Sequence, residues 1–319
     1  MKLKVTIAAC AVLASSFFVS ATQASNLFPE DIYISLKDSG ELVRFAGRHV
    51  WKGDPVMLYN SITPDAKRLL VSSPKMRKVY VFDAQNHARL ATINVGKASK
   101  GLKISPDGKE AYVANEGEAT VSVIDLSSYK QVARIPVDDM PHNIRFSDNG
   151  KYAYVTLQGG AGLGVIDTKT RKVKKVISVP GIKGPHNLDI SKDGHLAFIR
   201  DTVGNVAVLD LNTEKVKKVI AVGKGHAGID VSPNGKLVFT GAIADDIVTV
   251  IDSKTLDVVK QIKVGFGSHG VRTSKDGHWL YVAVSADNKL VVIDTKTFTI
   301  ARSFDIADFP FWISVNGNP

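Results

Sequence analysis

Residues 140–156 read MPHNIRFSDNGKYAYVT: an alternating apolar run, a Ser-Asp-Asn-Gly turn and a second alternating run, with one histidine at the entrance. Nearly the same words return at 184–200 as GPHNLDISKDGHLAFIR and at 267–283 as GSHGVRTSKDGHWLYVA. With Ser-Pro-Asp-Gly and its variants as the anchor, repeat units begin near Lys52, Asn94, Pro136, Ser178, Ala221 and Lys263, at a period of about 42 residues. Within one unit, KGLKISPDGKEAYVANEGEATVSVIDLSSYKQVARI at 100–135, the runs GLKI, EAYVA, TVSVID and QVARI are separated by turn compositions. Each unit is therefore a four-stranded antiparallel meander, and nothing in it has the 3.6-residue period of a helix.

A lone sheet of this size leaves both faces wet, and radial stacking of several such sheets buries them, which is the architecture of a β-propeller. The two ends of the chain set the blade count. Residues 31–51, DIYISLKDSGELVRFAGRHVW, hold the second, third and fourth strands of a unit without a first, and residues 309–317, FPFWISVNG, hold a first strand and its turn. Together they make one further blade. The fold expected is all-β: a seven-bladed β-propeller of four-stranded antiparallel blades, its ring closed by N- and C-terminal strands sharing one blade. An α/β fold fails for lack of helices, and a linear solenoid has no need of complementary partial units at its ends.

The first residues, MKLKVTIAACAVLASSFFVSATQASN, combine two lysines, an apolar run from Val5 to about Ala21 and small residues near Ala24, the pattern of a cleaved signal peptide. The expected organisation is a signal peptide over 1–24 and a single propeller domain over 25–319, with a periplasmic or secreted location. No later stretch is apolar for long enough to span a bilayer. The single cysteine, Cys10, lies in the leader, so the mature chain has no thiol for disulfides, thiolate ligands, cysteine nucleophiles or covalent haem attachment.

The formal charge is +10, and loss of Lys2 and Lys4 with the leader leaves +8. Much of the excess sits in outer-strand runs such as TRKVKKVI and EKVKKVI, where lysine deters edge-to-edge pairing. These runs lack the interleaved aromatics of a nucleic-acid groove, so no nucleic-acid partner is expected. There is no H-E-x-x-H, no G-x-S-x-G, no phosphate loop and no complete dinucleotide fingerprint; GGAGLG at 159–164 has its glycines at the wrong spacing. Catalysis without a cofactor is not expected, and no catalytic residue is identified.

The anchors ISPDGKEAYVAN and VSPNGKLVFTG and the downstream TVSVIDLSS, VTVIDSKT and LVVIDTKT resemble the YVTN-type repeat. That family forms seven-bladed propellers related to the propeller of nitrous oxide reductase and to the haem-binding propeller of dissimilatory nitrite reductase. The resemblance covers essentially the whole mature chain and is specific for fold rather than function. It implies that the first strand of each unit lies innermost, beside a central channel. His142, His186 and His269 then enter innermost strands five residues before the anchor of their units, and His226 enters six before its own. All four belong at one mouth of the channel, with Leu58, Lys100 and Phe309 at the matching positions elsewhere. His195, His278 and His87 fall at the opposite face and His49 near an outer strand.

Two readings of the four histidines are open. Each can hydrogen-bond the backbone of a neighbouring blade, copied by repeat duplication, or together they can bind copper, another divalent metal or a haem-like tetrapyrrole. The comparison with nitrous oxide reductase implies copper, but four histidines and no second domain do not make that enzyme. Arg200 and Asp201, in FIRDTVGN, interrupt an apolar strand end at the same mouth and are candidate cofactor contacts; Asp245, Asp246 and Asp287 lie in equivalent loops. The expected function is a binding or accessory protein with a histidine-lined metal or metallocofactor site, serving a respiratory enzyme or electron carrier as partner, and monomeric. The alternatives are a periplasmic metal-dependent oxidoreductase using the same histidines and an interaction scaffold without ligand. Two positions before each anchor stand Ser61, Lys103, Arg145, Asp189, Asp230, Arg272 and Trp312, which sets Arg145 beside Asp189 and Asp230 beside Arg272 as expected inter-blade ion pairs.

Overall fold

The Ser-x-Asp-Gly anchor is a self-satisfying hairpin turn. In the computed structural model Ser105 Oγ donates to Asp107 Oδ1 at 2.6 Å and accepts from the Glu110 amide, while Gly108 takes the left-handed φ of 70° that closes the turn. The third strand of each unit ends on an aspartate that caps the next turn: Asp125 Oδ1 accepts from the amides of Ser127 and Ser128, and Asp167, Asp210, Asp252 and Asp294 repeat the arrangement. These two turns, alternating with short strands, produce the meander.

The structure describes residues 31–317 apart from 46–48, 161 and 307. The leader inferred over residues 1–24 lies outside the described residues. Seven four-stranded antiparallel sheets form the ring. In blade 4 the strands Pro141–Phe146, Tyr152–Leu157, Gly162–Asp167 and Lys172–Ser178 run in order from the innermost outward. Burial follows that order: the first is buried throughout, the third is buried except at Asp167, and the last alternates between exposed and sheltered positions. The single helical element among the described residues is a 3₁₀ turn, Glu116–Glu118. No helix among them is long and apolar enough to cross a membrane.

Blade 1 is closed as the two partial units require. Pro310–Val315 pairs with Ile32–Leu36, which continues to Glu41–Arg44 and His49–Lys52. Amides at both ends of the seam are satisfied across it, Asn316 to the Asp31 carbonyl at 2.9 Å and Lys37 to the Phe309 carbonyl at 3.1 Å.

Blades are joined by apolar clusters and by hydroxyl hooks. Ser72 Oγ donates to the Lys100 carbonyl at 2.8 Å, Thr156 Oγ1 to the His186 carbonyl at 2.7 Å and Ser285 Oγ to the Pro310 carbonyl at 2.6 Å, each reaching the innermost strand of the next blade. These bonds satisfy carbonyls that no strand partner covers and fix each blade's angle to its neighbour.

Candidate metallocofactor site

Four innermost strands begin with a β-bulge, that of blade 1 at Phe311. Lys100 and Gly101 in blade 3, His142 and Asn143 in blade 4, and His269 and Gly270 in blade 7 each oppose a single residue of the next strand. A bulge re-aims the side chain it carries. The turn into it needs a left-handed residue two positions earlier: Ala98 at φ 49° and Met140 at φ 50°, with glycine at the equivalent positions 184 and 267. In blade 6 the left-handed residue, Gly225, keeps the same distance from the anchor as in the other blades, so His226 follows it directly and retains its one-residue offset.

The result is a continuous arc of imidazoles at one mouth of the channel. Ring centroids are 3.6 Å apart between His142 and His186, 4.3 Å between His186 and His226, and 5.3 Å between His226 and His269. His142, His186 and His269 are 4%, 5% and 0% exposed, while His226 is half-buried at the rim. The arc ends on an aromatic wall, with Phe311 stacked on His269 at 4.0 Å and Trp312 4.7 Å from the ring of Tyr59.

The four rings differ in what they have left to offer. His142 is fully engaged: Nδ1 meets Glu116 Oε2 at 3.1 Å and Nε2 meets the Tyr59 hydroxyl at 2.8 Å. His269 Nδ1 meets the Phe311 carbonyl at 2.9 Å, which makes Nδ1 the protonated nitrogen and leaves the buried Nε2 as an acceptor without a partner. His186 Nδ1 is likewise buried without a partner. Burial is the main influence on all four and pushes each below the ordinary histidine range. Glu116 partly opposes this at His142, the neighbouring imidazoles deepen it at His186 and His269, and His226 is brought to about 4 with help from His142, Arg200, Lys100 and Lys37. At neutral pH the arc is therefore a set of neutral nitrogen donors inside a positive rim.

Arg200 and Asp201 are fully buried, and their hydrogen bonds go to the chain itself. Arg200 Nη2 donates to the carbonyls of Gly223 and Gly225 at 2.5 and 2.6 Å, and Asp201 Oδ1 accepts from the amides of Val203, Gly204 and Asn205. What reaches the histidines from this pair is the positive charge of Arg200, which disfavours protonation of His186 and His226. Asp245 and Asp287 similarly accept from backbone amides, and Asp246 lies 3.4 Å from Lys263. The structure adds Tyr59 and Glu116 to the site. Tyr59 stands four positions before its anchor, where side chains face the channel, and Glu116 occupies the loop equivalent to that of Arg200 and Asp201. Away from the mouth, His195 is exposed beside Asn212 and His278 pairs with Asp294 at 3.4 Å, whereas His49 and His87 meet each other at 4.2 Å.

The mouth fits a group that needs few axial nitrogens better than a bare ion. Among the described residues no group of three or more His, Asp or Glu side chains is set to hold a metal ion, and a structural zinc-type site needs four ligands. A tetrapyrrole iron needs only one or two. The two partnerless buried nitrogens of His186 and His269 would suffice for such a group, and Lys37 and Lys100 at the mouth would meet its carboxylates.

Residues 35–214 match the family described as lactonase, 7-bladed β-propeller, and residues 144–311 match a domain of unknown function, DUF5074. Comparison with curated proteins gives no match. Among solved structures, the chain is similar to hydrazine synthase of Kuenenia stuttgartiensis, with TM-score 0.74, 19% identity, and coverage of 83% of this chain and 91% of that one. It is similar to a functionally unknown protein from Desulfotomaculum acetoxidans, with TM-score 0.74, 15% identity, and coverage of 91% and 99%. It is also similar to the dihydro-haem d1 dehydrogenase NirN in complex with DHE, with TM-score 0.69, 17% identity, and coverage of 90% and 75%. At these identities the likeness is one of fold.

Proposed function

The chain belongs to the lactonase family of seven-bladed β-propellers, and from that scaffold we propose that it is a binding protein whose histidine mouth holds a haem-type tetrapyrrole. The observation that carries this reading is the pair of buried, partnerless ring nitrogens, His186 Nδ1 and His269 Nε2, in a mouth whose imidazoles are all held neutral. His186 and His269, which carry these nitrogens, are the residues that would hold the metal, with His226 beside them at the rim and His142 locked between Tyr59 and Glu116. Bound there, the group would supply redox or ligand-binding chemistry at its metal. The chain's own part is to exclude water behind the ring, through Tyr59, Phe311 and Trp312, and to meet carboxylates with Lys37 and Lys100. The likeness in fold to NirN, named as a dihydro-haem d1 dehydrogenase, is consistent with this proposal.

Met76, Val203 and Phe266 are exposed in loops of the same face. Under this reading they form the surface against which a partner, an extracytoplasmic enzyme or electron carrier, receives or delivers the group. A hydrolytic reading, suggested by the family's name, has one feature in its favour: Glu116 backs His142 as a carboxylate backs a general base. It ranks second because the opposite nitrogen of His142 is occupied by a buried tyrosine rather than facing the mouth.

The test is titration of the purified protein with haemin and, separately, with copper(II), followed by absorption and by melting temperature. The tetrapyrrole reading requires a saturable one-to-one Soret change that is lost in the double variant His186→Ala/His269→Ala and kept in His195→Ala/His278→Ala. Saturable copper binding without haemin binding would replace it with the copper reading, and no response to either would leave the scaffold.

A further inference from the structure

Adjacent blades are pinned to one another at two radii. In the channel ring, two positions before the anchors, Arg145 Nε donates to Asp189 Oδ1 at 3.1 Å and Arg272 Nη1 to Asp230 Oδ1 at 2.6 Å, as the repeat predicts. Farther out, the pinning residue stands four positions after the aspartate that caps the turn between the third and outer strands. It takes a left-handed φ of 54° to 66° in blades 2 to 7. In blades 3, 6 and 7 it is Tyr129, Leu256 or Phe298 and packs into the apolar cluster shared with the preceding blade. In blades 4 and 5 it is charged and meets a partner in the preceding blade, Arg171 with Glu110 at 2.5 Å and Glu214 with Lys175.

Blade 2 departs from both patterns. Its residue is His87, exposed on the turn, whose ring has no hydrogen bond or ion pair among the described residues. What it meets in blade 1 is Trp51, at 5.3 Å between ring centroids, and a second imidazole, His49, at 4.2 Å. The His49 ring is half-buried at the start of the outer strand of blade 1 and likewise has no hydrogen-bond partner among the described residues. That strand, His49–Lys52, has four residues, where the outer strands of the other blades have six or seven. The outer edge of the closing blade is thus held by few backbone bonds of its own.

We propose that His49 and His87 form a binding site for a divalent transition-metal ion of the zinc or copper type, which staples the outer strand of blade 1 to blade 2. Imidazole nitrogens suit these ions, and water completes the coordination at an exposed site. With nitrogen–metal bonds of about 2.0–2.1 Å, two imidazoles at a right angle on one ion have ring centres about 4.5 Å apart, so the observed 4.2 Å needs only a small turn of the exposed His87 ring. Burial, the His87 ring and Arg44 all disfavour protonation of His49, with Asp31 opposing them, so its lone pair is on offer at neutral pH. The Asp31 carboxylate itself is committed to Arg44 at 2.8 Å. With two protein ligands rather than four, the ion is held reversibly.

Calorimetric titration of the untagged protein with zinc chloride tests this. The background is His186→Ala/His269→Ala, so that the nitrogens assigned to the mouth take no part and the outcome is independent of the tetrapyrrole reading. One saturable zinc equivalent is expected, with binding at least tenfold weaker after His49→Ala or His87→Ala and unchanged after His195→Ala/His278→Ala. Zinc should also slow amide hydrogen exchange in residues 49–52, which a loosely bound surface ion would not do. If the background variant does not fold, the wild type decides the matter, because His49→Ala should remove one zinc equivalent from its total. Absence of saturable binding, an unchanged constant in His49→Ala or His87→Ala, loss of binding in His195→Ala/His278→Ala, or zinc binding without slower exchange at 49–52 would overturn the proposal.

Discussion

The Tyr59 hydroxyl lies 2.8 Å from Nε2 of His142, although the two residues belong to blades 2 and 4. The contact passes over blade 3, where Gly101 lies against the innermost strand of blade 4. A Cβ there would stand 2.6 Å from the His142 carbonyl and 2.7 Å from the Asn143 Cα. The missing side chain lets the innermost strands of blades 3 and 4 approach closely, beneath the contact that Tyr59 makes with His142.

Replacing Tyr59 by Phe should therefore act at two levels. It leaves a buried imidazole nitrogen without its partner, at a cost of about 1–3 kcal/mol measured by urea unfolding. It also frees His142 Nε2, so that the Soret band of the haemin complex should shift relative to wild type. An unchanged unfolding midpoint would show that the hydrogen bond contributes nothing to the folded state.

The inter-blade pair Arg272–Asp230 is buried, at 4% and 1% side-chain exposure, whereas Lys175–Glu214 is a surface contact at 37% and 42%. Arg272→Met leaves the Asp230 carboxylate in the interior and should destabilise by about 3–5 kcal/mol. Glu214→Gln should cost no more than about 1 kcal/mol and lose even that at high salt. Similar unfolding midpoints for the two variants would exclude a structural role for the channel ring.

Stability should fall on acidification before ordinary carboxylates titrate. His226 has a folded pKa of about 4 and an unfolded value near 6.5, so between these pH values the unfolded chain binds more protons and stability decreases as pH falls. Above pH 7 this contribution is complete and flat. The decline attributable to His226 is up to about 3 kcal/mol at roughly 1.4 kcal/mol per unit, and His142, His186 and His269 act in the same direction. Denaturant titrations from pH 7.5 to 4.5 should show the slope, and His226→Ala should flatten it; a wild-type profile level across this range would contradict the depressed imidazoles.

Removal of Pro310–Val315 should open blade 1 and expose the edge of Ile32–Leu36, a strand buried along its whole length. The truncated chain should melt at lower temperature and self-associate in sedimentation experiments. A monomer with unchanged melting temperature would contradict the seam.

Properties that repeat were legible in the sequence. The period, the blade count, the shared blade, the arc of four histidines and the alternation Arg145–Asp189, Asp230–Arg272 all follow from counting positions relative to one turn. What was not legible depends on where the repeat is broken. The bulges that aim His142 and His269 show in no composition, because Met140 reaches a left-handed φ without being glycine. Tyr59 reaches His142 across two blades, a contact that no comparison of repeat positions shows. Arg200 and Asp201 interrupt an apolar strand end, a pattern shared by ligand contacts and by buried loop braces; the carbonyls of Gly223 and Gly225, which fix Arg200, come from the next connection in the ring.

The seam in blade 1 also governs when the ring can exist. Its innermost strand is made after every other strand of the ring, so the three N-terminal strands and blades 2 to 7 emerge as an open crescent that stays unjoined until residue 315 is available. Joining the ends of so long a chain carries a loop-closure entropy that no earlier strand can offset. The final strand is therefore the latch of the assembly process, and a chain stalled before it presents both a mouth without Phe311 and Trp312 and a sheet edge open to chaperones, proteases or a second copy of itself.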